Sequence, residues 1–139
     1  MQTFGLTHIG LTVASPELSF RFYQRVVDAR LLGSLAGSEN ADLSSEDTIE
    51  WGTPRANDVV TLNRGTPVPS GGITHFGFRL VGRDDPEEVA GAVEAAGGTV
   101  VHSGRFESSG EPVVFAKDPD GYEIEFWFES DPEWRLKER

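Results

Sequence analysis

Residues 7–13 read Thr-His-Ile-Gly-Leu-Thr-Val and residues 74–80 read Thr-His-Phe-Gly-Phe-Arg-Leu. The two histidines, His8 and His75, lie 67 residues apart in a chain of 139, so one pattern occurs once in each half. Both stretches alternate as half-buried strands do. In the first, His8, Gly10 and Thr12 share a face opposite Ile9, Leu11 and Val13. In the second, His75, Gly77 and Arg79 share a face opposite Phe76, Phe78 and Leu80. A duplicated strand places two copies of one side chain at equivalent points, and here that side chain is the commonest metal ligand among the residues.

The segments that follow repeat as well. Ser15-Pro16 reads as an N-cap and first helical residue, opening a helix to about residue 28 with Leu18, Phe22 and Val26 as its apolar stripe. Short strands are expected near 31–35, 48–52 and 58–63, with a polar, turn-rich loop at 36–47 that reads as mobile and as a lid over a site. In the second half, Asp84-Asp85-Pro86 starts a helix carrying Val89, Ala92, Val93 and Ala96 that stops at Gly97-Gly98. Strands follow near 98–103, 112–117 and 122–129, the last two joined by the turn Asp118-Pro119-Asp120-Gly121.

Each half therefore reads strand, helix, strand, strand, strand. The fold class is α+β: two βαβββ modules form a curved eight-stranded mixed sheet around a cleft, with the helices outside. All 139 residues make one domain. Module one is 5–64, a linker runs over 65–72, module two is 73–129 and a C-terminal tail of 130–139 ends the chain with a short helix. Neither module covers its own sheet alone, which favours an intimate pair.

Composition narrows the functions. The net charge is −11, from 23 acidic and 12 basic residues, so nucleic acid and anionic membrane are not expected partners. There is no cysteine, hence no disulfide, thiolate zinc site or cysteine nucleophile. The N-terminus shows no secretion signal, and no stretch approaches the roughly 18 apolar residues of a membrane span, so a cytoplasmic location is expected.

The chemistry collects on the polar faces. In the last strand Glu123, Glu125 and Trp127 alternate with Ile124, Phe126 and Phe128, so Glu125 is aimed into the cleft. A pseudo-twofold axis brings His8, His75 and Glu125 together as two imidazoles and one carboxylate, a facial set that leaves coordination positions open for substrate oxygens. Iron(II) or manganese(II) suits such a set best, and zinc, nickel or cobalt also fits. Sliding the fourth strand of module one onto the last strand puts Thr61, a poor ligand, opposite Glu125; Asp58 falls on the wrong face. Catalytic candidates are Glu50 and His102, with Glu123, for acid–base work, and Tyr122 as a hydrogen-bond partner for a substrate oxygen. Candidates for substrate contact are Arg79, Phe115, Trp127 and Thr61, with Trp51 and Phe106 as further aromatic walls.

These residues carry a resemblance. His8-Ile-Gly-Leu-Thr-Val with Phe20-Arg-Phe-Tyr23, then Thr74-His75-Phe-Gly-Phe, then Val113-Val-Phe-Ala-Lys-Asp-Pro-Asp-Gly-Tyr-Glu-Ile-Glu-Phe126 resemble the vicinal oxygen chelate superfamily over residues 5 to about 129. That group includes glyoxalase I, extradiol dioxygenases, methylmalonyl-CoA epimerase, fosfomycin-resistance thiol transferases and bleomycin-resistance proteins. The resemblance implies paired βαβββ modules, a homodimer and a divalent metal on His8, His75 and Glu125. It implies a metal-dependent oxidoreductase or lyase acting on a small molecule held through vicinal oxygens, dioxygenase-like or glyoxalase-like. The alternatives are a metal-free binding protein of the bleomycin-resistance type and a thiol transferase of the fosfomycin-resistance type. Two departures are visible: Thr61 replaces the fourth ligand of glyoxalase I, and Phe115 replaces the essential tyrosine of the extradiol dioxygenases.

Overall fold

A computed structural model describes residues 8–56, 58–69, 71, 75–80, 85–107 and 110–128, and the expected C-terminal helix lies outside them. The order in module one is β1 (Ile9–Val13), α1 (Pro16–Val27), β2 (Arg30–Leu31), a 3-10 turn (Gly33–Leu35), β3 (Thr48–Gly52) and β4 (Val60–Arg64). Module two repeats it with β5 (Phe76–Leu80), α2 (Pro86–Ala95), β6 (Thr99–Arg105), β7 (Pro112–Lys117) and β8 (Glu123–Phe128). The eight strands form two four-stranded sheets, ordered β1-β4-β3-β2 and β5-β8-β7-β6. In each, the first and last strands of the module pair in parallel and the others are antiparallel. The expected paired βαβββ fold is therefore present, and no ladder joins the sheets among the described residues.

Local chemistry explains the elements. Ser15 Oγ accepts from the Leu18 amide and Pro16 supplies the preset φ of a first turn. Asp85 caps α2 in the same way, before Pro86. The stripe of α1 differs from expectation. Ser19, Phe20, Phe22 and Tyr23 are buried, whereas Leu18 is 65% exposed. The helix turns Tyr23 inward because its ring stacks on Trp51, with centroids 4.7 Å apart, and lies 6.1 Å from Phe78 of module two. Phe78 in turn stacks on Trp51 and on Phe126. One core thus runs through both modules, and burying these large rings removes much apolar surface from water.

The modules are tied by polar groups too. The closing turn of module two reaches into module one: Asp120 accepts from the Ala14 amide (3.0 Å) and from Ser19 Oγ (2.7 Å), and Tyr23 Oη donates to Asp118 Oδ2 at 2.8 Å. Asp118 also accepts from the amides of Asp120 and Tyr122. Burial raises the Tyr23 phenol well above its ordinary pKa, with the charge of Asp118 adding to the effect. Burial likewise raises the Asp118 carboxyl, against the pull of its hydrogen bonds. Helix meets helix at the same junction, where the Arg25 guanidinium reaches the Ala95 carbonyl.

The loop at 36–47 is anchored, contrary to its reading as a mobile lid. Leu43 is buried, Arg21 donates to the carbonyls of Glu39 and Ala41, and Glu17 accepts from the Leu43 amide. Arg64 holds the far end through Asp47 and the carbonyls of Ser44 and Glu46. Two arginines from distant strand and helix positions satisfy loop carbonyls that sequence alone leaves unassigned.

Candidate active site

Each sheet buries one face under its helices and exposes the other. On the open face of module two, the ladder places Gly77, Glu125, Phe115 and His102 side by side across β5, β8, β7 and β6. His75, two residues before Gly77, sets its Nε2 3.3 Å from Glu125 Oε2. Its ring meets Phe115 edge to face, with centroids 5.7 Å apart and planes at 86°. A Cβ at Gly77 would lie 3.3 Å from the Glu125 carbonyl oxygen and 3.7 Å from Glu125 Oε2. The tight approach is to the β8 backbone, and the carboxylate oxygen would sit at ordinary van der Waals distance. An imidazole and a carboxylate in contact, both partly exposed, are a donor pair suited to a borderline divalent ion.

The corresponding row of module one is Gly10, Thr61 and Glu50 across β1, β4 and β3. Gly10 pairs with Thr61 as Gly77 pairs with Glu125, so Thr61, the residue that alternation favours, is the counterpart of Glu125, and Asp58, at the strict 67-residue offset, is not. The carboxylate of this module is Glu50, one strand further on. His8 is exposed at the start of β1. A Cβ added at Gly10 would meet nothing within 4 Å among the described residues.

Among the described residues of one chain, no three His, Cys, Asp or Glu side chains group as a metal site. The structure brings His75 and Glu125 together and leaves His8 apart from them. At the junction of the modules Tyr23 of α1 packs on Phe76 and Phe78.

The remaining candidates separate. His102 shares the row of Glu125 but stands on the edge strand two strands away, curled over Gly104. Tyr122 joins the modules: its hydroxyl donates to the Thr12 carbonyl at 2.8 Å and accepts from the Val68 amide. Trp51 is core, not wall. Trp127 and Phe106 are walls. They meet edge to face at 6.4 Å beside Glu125, and Trp127 Nε1 donates to Glu111 Oε2 at 3.1 Å. Arg79 pairs with Trp127 in the ladder and lines the same cavity of about 390 Å³. Glu111, which fixes the indole, was missed from sequence because it precedes β7 and carries no periodic signal. Arg55, on the β3–β4 turn, was missed for the same reason.

Known proteins agree with this architecture. The chain matches the glyoxalase/bleomycin resistance protein/dioxygenase superfamily over residues 5–126. A lactoylglutathione lyase of Haemophilus influenzae is 33% identical over 122 residues, covering 87% of this chain and 90% of that protein. A fosfomycin resistance protein, FosX, of Listeria monocytogenes, solved with Mn(II) and 1S,2S-dihydroxypropylphosphonic acid, superposes with a TM-score of 0.69 at 19% identity, over 99% of this chain and 98% of that one. A variant of glyoxalase I from Zea mays superposes with a TM-score of 0.66 at 21% identity, over 91% of this chain and 46% of that one. No helix among the described residues is long and apolar enough to cross a membrane. With the repeated strand, the paired modules and a family match across most of its length, the chain belongs to the glyoxalase/bleomycin resistance protein/dioxygenase superfamily.

Proposed function

We propose that this protein is a divalent-metal-dependent enzyme, glyoxalase-like in its chemistry, whose metal site is shared between two copies of the chain. His8 of one copy joins the partner's His75 and the partner's Glu125. The observation that carries this reading is the His75–Glu125 contact on an open face, with His8 exposed on the open face of the other module. A twofold dimer lays one module's open face on the other's and makes two equivalent sites. Manganese(II) or iron(II) suits the two-imidazole, one-carboxylate set; the Mn(II) in the Listeria FosX structure supports manganese, and the relatives named lactoylglutathione lyase support the glyoxalase-like chemistry.

When bound, the ion supplies the positive charge that favours an oxyanion on a substrate held through adjacent oxygens. Moving the proton falls to the protein. Thr61 adds no fourth carboxylate ligand, and Glu50 lies beside it on the face that carries His8. Glu50 takes a proton from the carbon next to the held oxygen and returns it to the neighbouring carbon. The Thr61 hydroxyl is placed to hydrogen-bond a substrate oxygen, and Phe115 and Trp127 wall the apolar side.

Complementation tests the shared site. His8→Ala and Glu125→Ala chains, each inactive alone, regain about a quarter of wild-type metal binding when unfolded and refolded together in equal amounts. Half the dimers are then mixed, and each mixed dimer holds one intact site of two. No recovery would place the ligands within one chain. Thioester formation from glutathione and a 2-oxoaldehyde by the Mn(II)-loaded protein tests the glyoxalase-like step. Tight ligand binding that persists in EDTA without turnover would instead make this a metal-free binding protein.

A further inference from the structure

Two local irregularities in β6 present an imidazole on the open face of module two. The strand holds one extra residue against β7: Val100 faces Ala116 and His102 faces Phe115, with Val101 bulged between them. Regular alternation would set Val101 opposite Phe115 and turn His102 to the side of Val114 and Ala116, which is buried. The bulge instead returns His102 to the open face, in one row with Phe115 and Glu125. Gly104 then leaves room for the ring: a Cβ there would lie 3.1 Å from His102 Nε2 and 3.4 Å from its Cε1. The side chain is exposed, and among the described residues no hydrogen bond or ion pair engages it.

Distance decides what this group does. Two strand spacings, about 10 Å, separate the backbones of His102 and Glu125, and Phe115 stands between them. A general acid or base must come within about 3 Å of the proton it moves, or act through one water. His102 is too far from an oxygen pair held at Glu125 to serve there. It is placed for the other end of the ligand. We propose that His102 is a specificity residue: it donates a hydrogen bond to an anionic oxygen, of a carboxylate or phosphate, which a flat apolar spacer carries across Phe115 from the chelated oxygens. A hydrogen bond to an ionised acceptor is roughly twice as strong as one to a neutral acceptor, so the contact selects an anion over an amide. The chelated end rests on the function proposed above; the His102 contact does not.

A matched pair of ligands tests the contact. 4-Carboxybenzohydroxamate and 4-carbamoylbenzohydroxamate share an oxygen pair and a benzene spacer and differ in the charge at the far end. In titration calorimetry with the Mn(II)-loaded wild-type protein, the acid is expected to bind about tenfold more tightly than the amide. His102→Ala, checked for native folding by circular dichroism, is expected to bind the two alike. Equal binding of acid and amide to the wild-type protein would overturn the proposal, as would a preference that survives His102→Ala or no binding of either ligand. A preference that depends on His102 while removal of Mn(II) leaves both affinities unchanged would keep this contact and count against chelation alone.

Discussion

Modules one and two share strand order and a capped, proline-led helix start, yet the rows across their open faces differ at two positions. Module two reads glycine, glutamate, phenylalanine, histidine across its sheet; module one reads glycine, threonine, glutamate. The carboxylate has moved one strand outward. A single β-strand spacing of about 4.8 Å is enough to turn a prospective ligand into a prospective proton acceptor. In the site proposed above, duplication supplies the symmetry and the one-strand displacement of the carboxylate separates the proposed ligand from the proposed base.

The comparison is broken most severely by removing the module-two carboxylate. Glu125→Ala is expected to weaken Mn(II) binding by more than about a hundredfold, measured by equilibrium dialysis, because a divalent ion loses its only anionic protein ligand in the proposed site. An affinity within threefold of wild type would remove Glu125 from the metal set.

Next in size is the joint that only one module provides. Tyr23 bonds Asp118, while the equivalent turn of α2 presents Val93 to the core. Tyr23→Phe should cost about 1–3 kcal/mol of unfolding free energy in urea, since a buried carboxylate loses a donor. The pH dependence carries a sign. The folded Tyr23 pKa lies above its unfolded value of about 10, so the phenol's contribution is complete below that value and is lost as the pH rises past it. Wild-type protein should lose stability more steeply than Tyr23→Phe in that alkaline range. Asp118, also raised, has the same sign in the acid range: its burial favours the fold below the ordinary carboxylate pKa, and that advantage disappears as the pH climbs through the raised one.

Thr61→Glu sharpens the comparison by making module one read like module two. It is expected to tighten Mn(II) binding by about tenfold and to slow turnover, because a fourth protein ligand occupies a position the substrate needs. Unchanged affinity would show that position 61 does not face the ion. The smallest effect is expected at Arg64, whose exposed bonds hold the long β2–β3 connection, where module two has the shorter β6–β7 connection. Arg64→Met should cost about 0.5–1 kcal/mol and expose residues 44–47 to limited proteolysis, with little change elsewhere.

Much of this was legible in the chain. Alternation and a 67-residue repeat were sufficient for the paired modules, because strand period and helix caps are local properties. The equivalence of Thr61 and Glu125 followed from face alternation, which overrode the strict 67-residue offset that points to Asp58. Three things did not. Leu18 looked like stripe and Tyr23 did not, because periodicity cannot tell that a phenol will find a buried acceptor 95 residues away. The 36–47 loop looked loose because Arg21 and Arg64, which anchor it, carry no local signal. The expected meeting of His8 with His75 and Glu125 inside one chain was read from symmetry alone. Whether equivalent faces meet or turn apart depends on how Tyr23, Phe76 and Phe78 pack, and no strand pattern encodes that.

The clasp between the Asp118–Gly121 turn and the start of module one has an evolutionary consequence. A half-length gene encoding module one alone would produce a helix whose buried phenol and serine lack their acceptors, and a first strand whose exit is unsecured. The two halves are now mutually dependent parts. Recombination that exchanged one of them for a distant cousin's would have to bring both sides of that latch together.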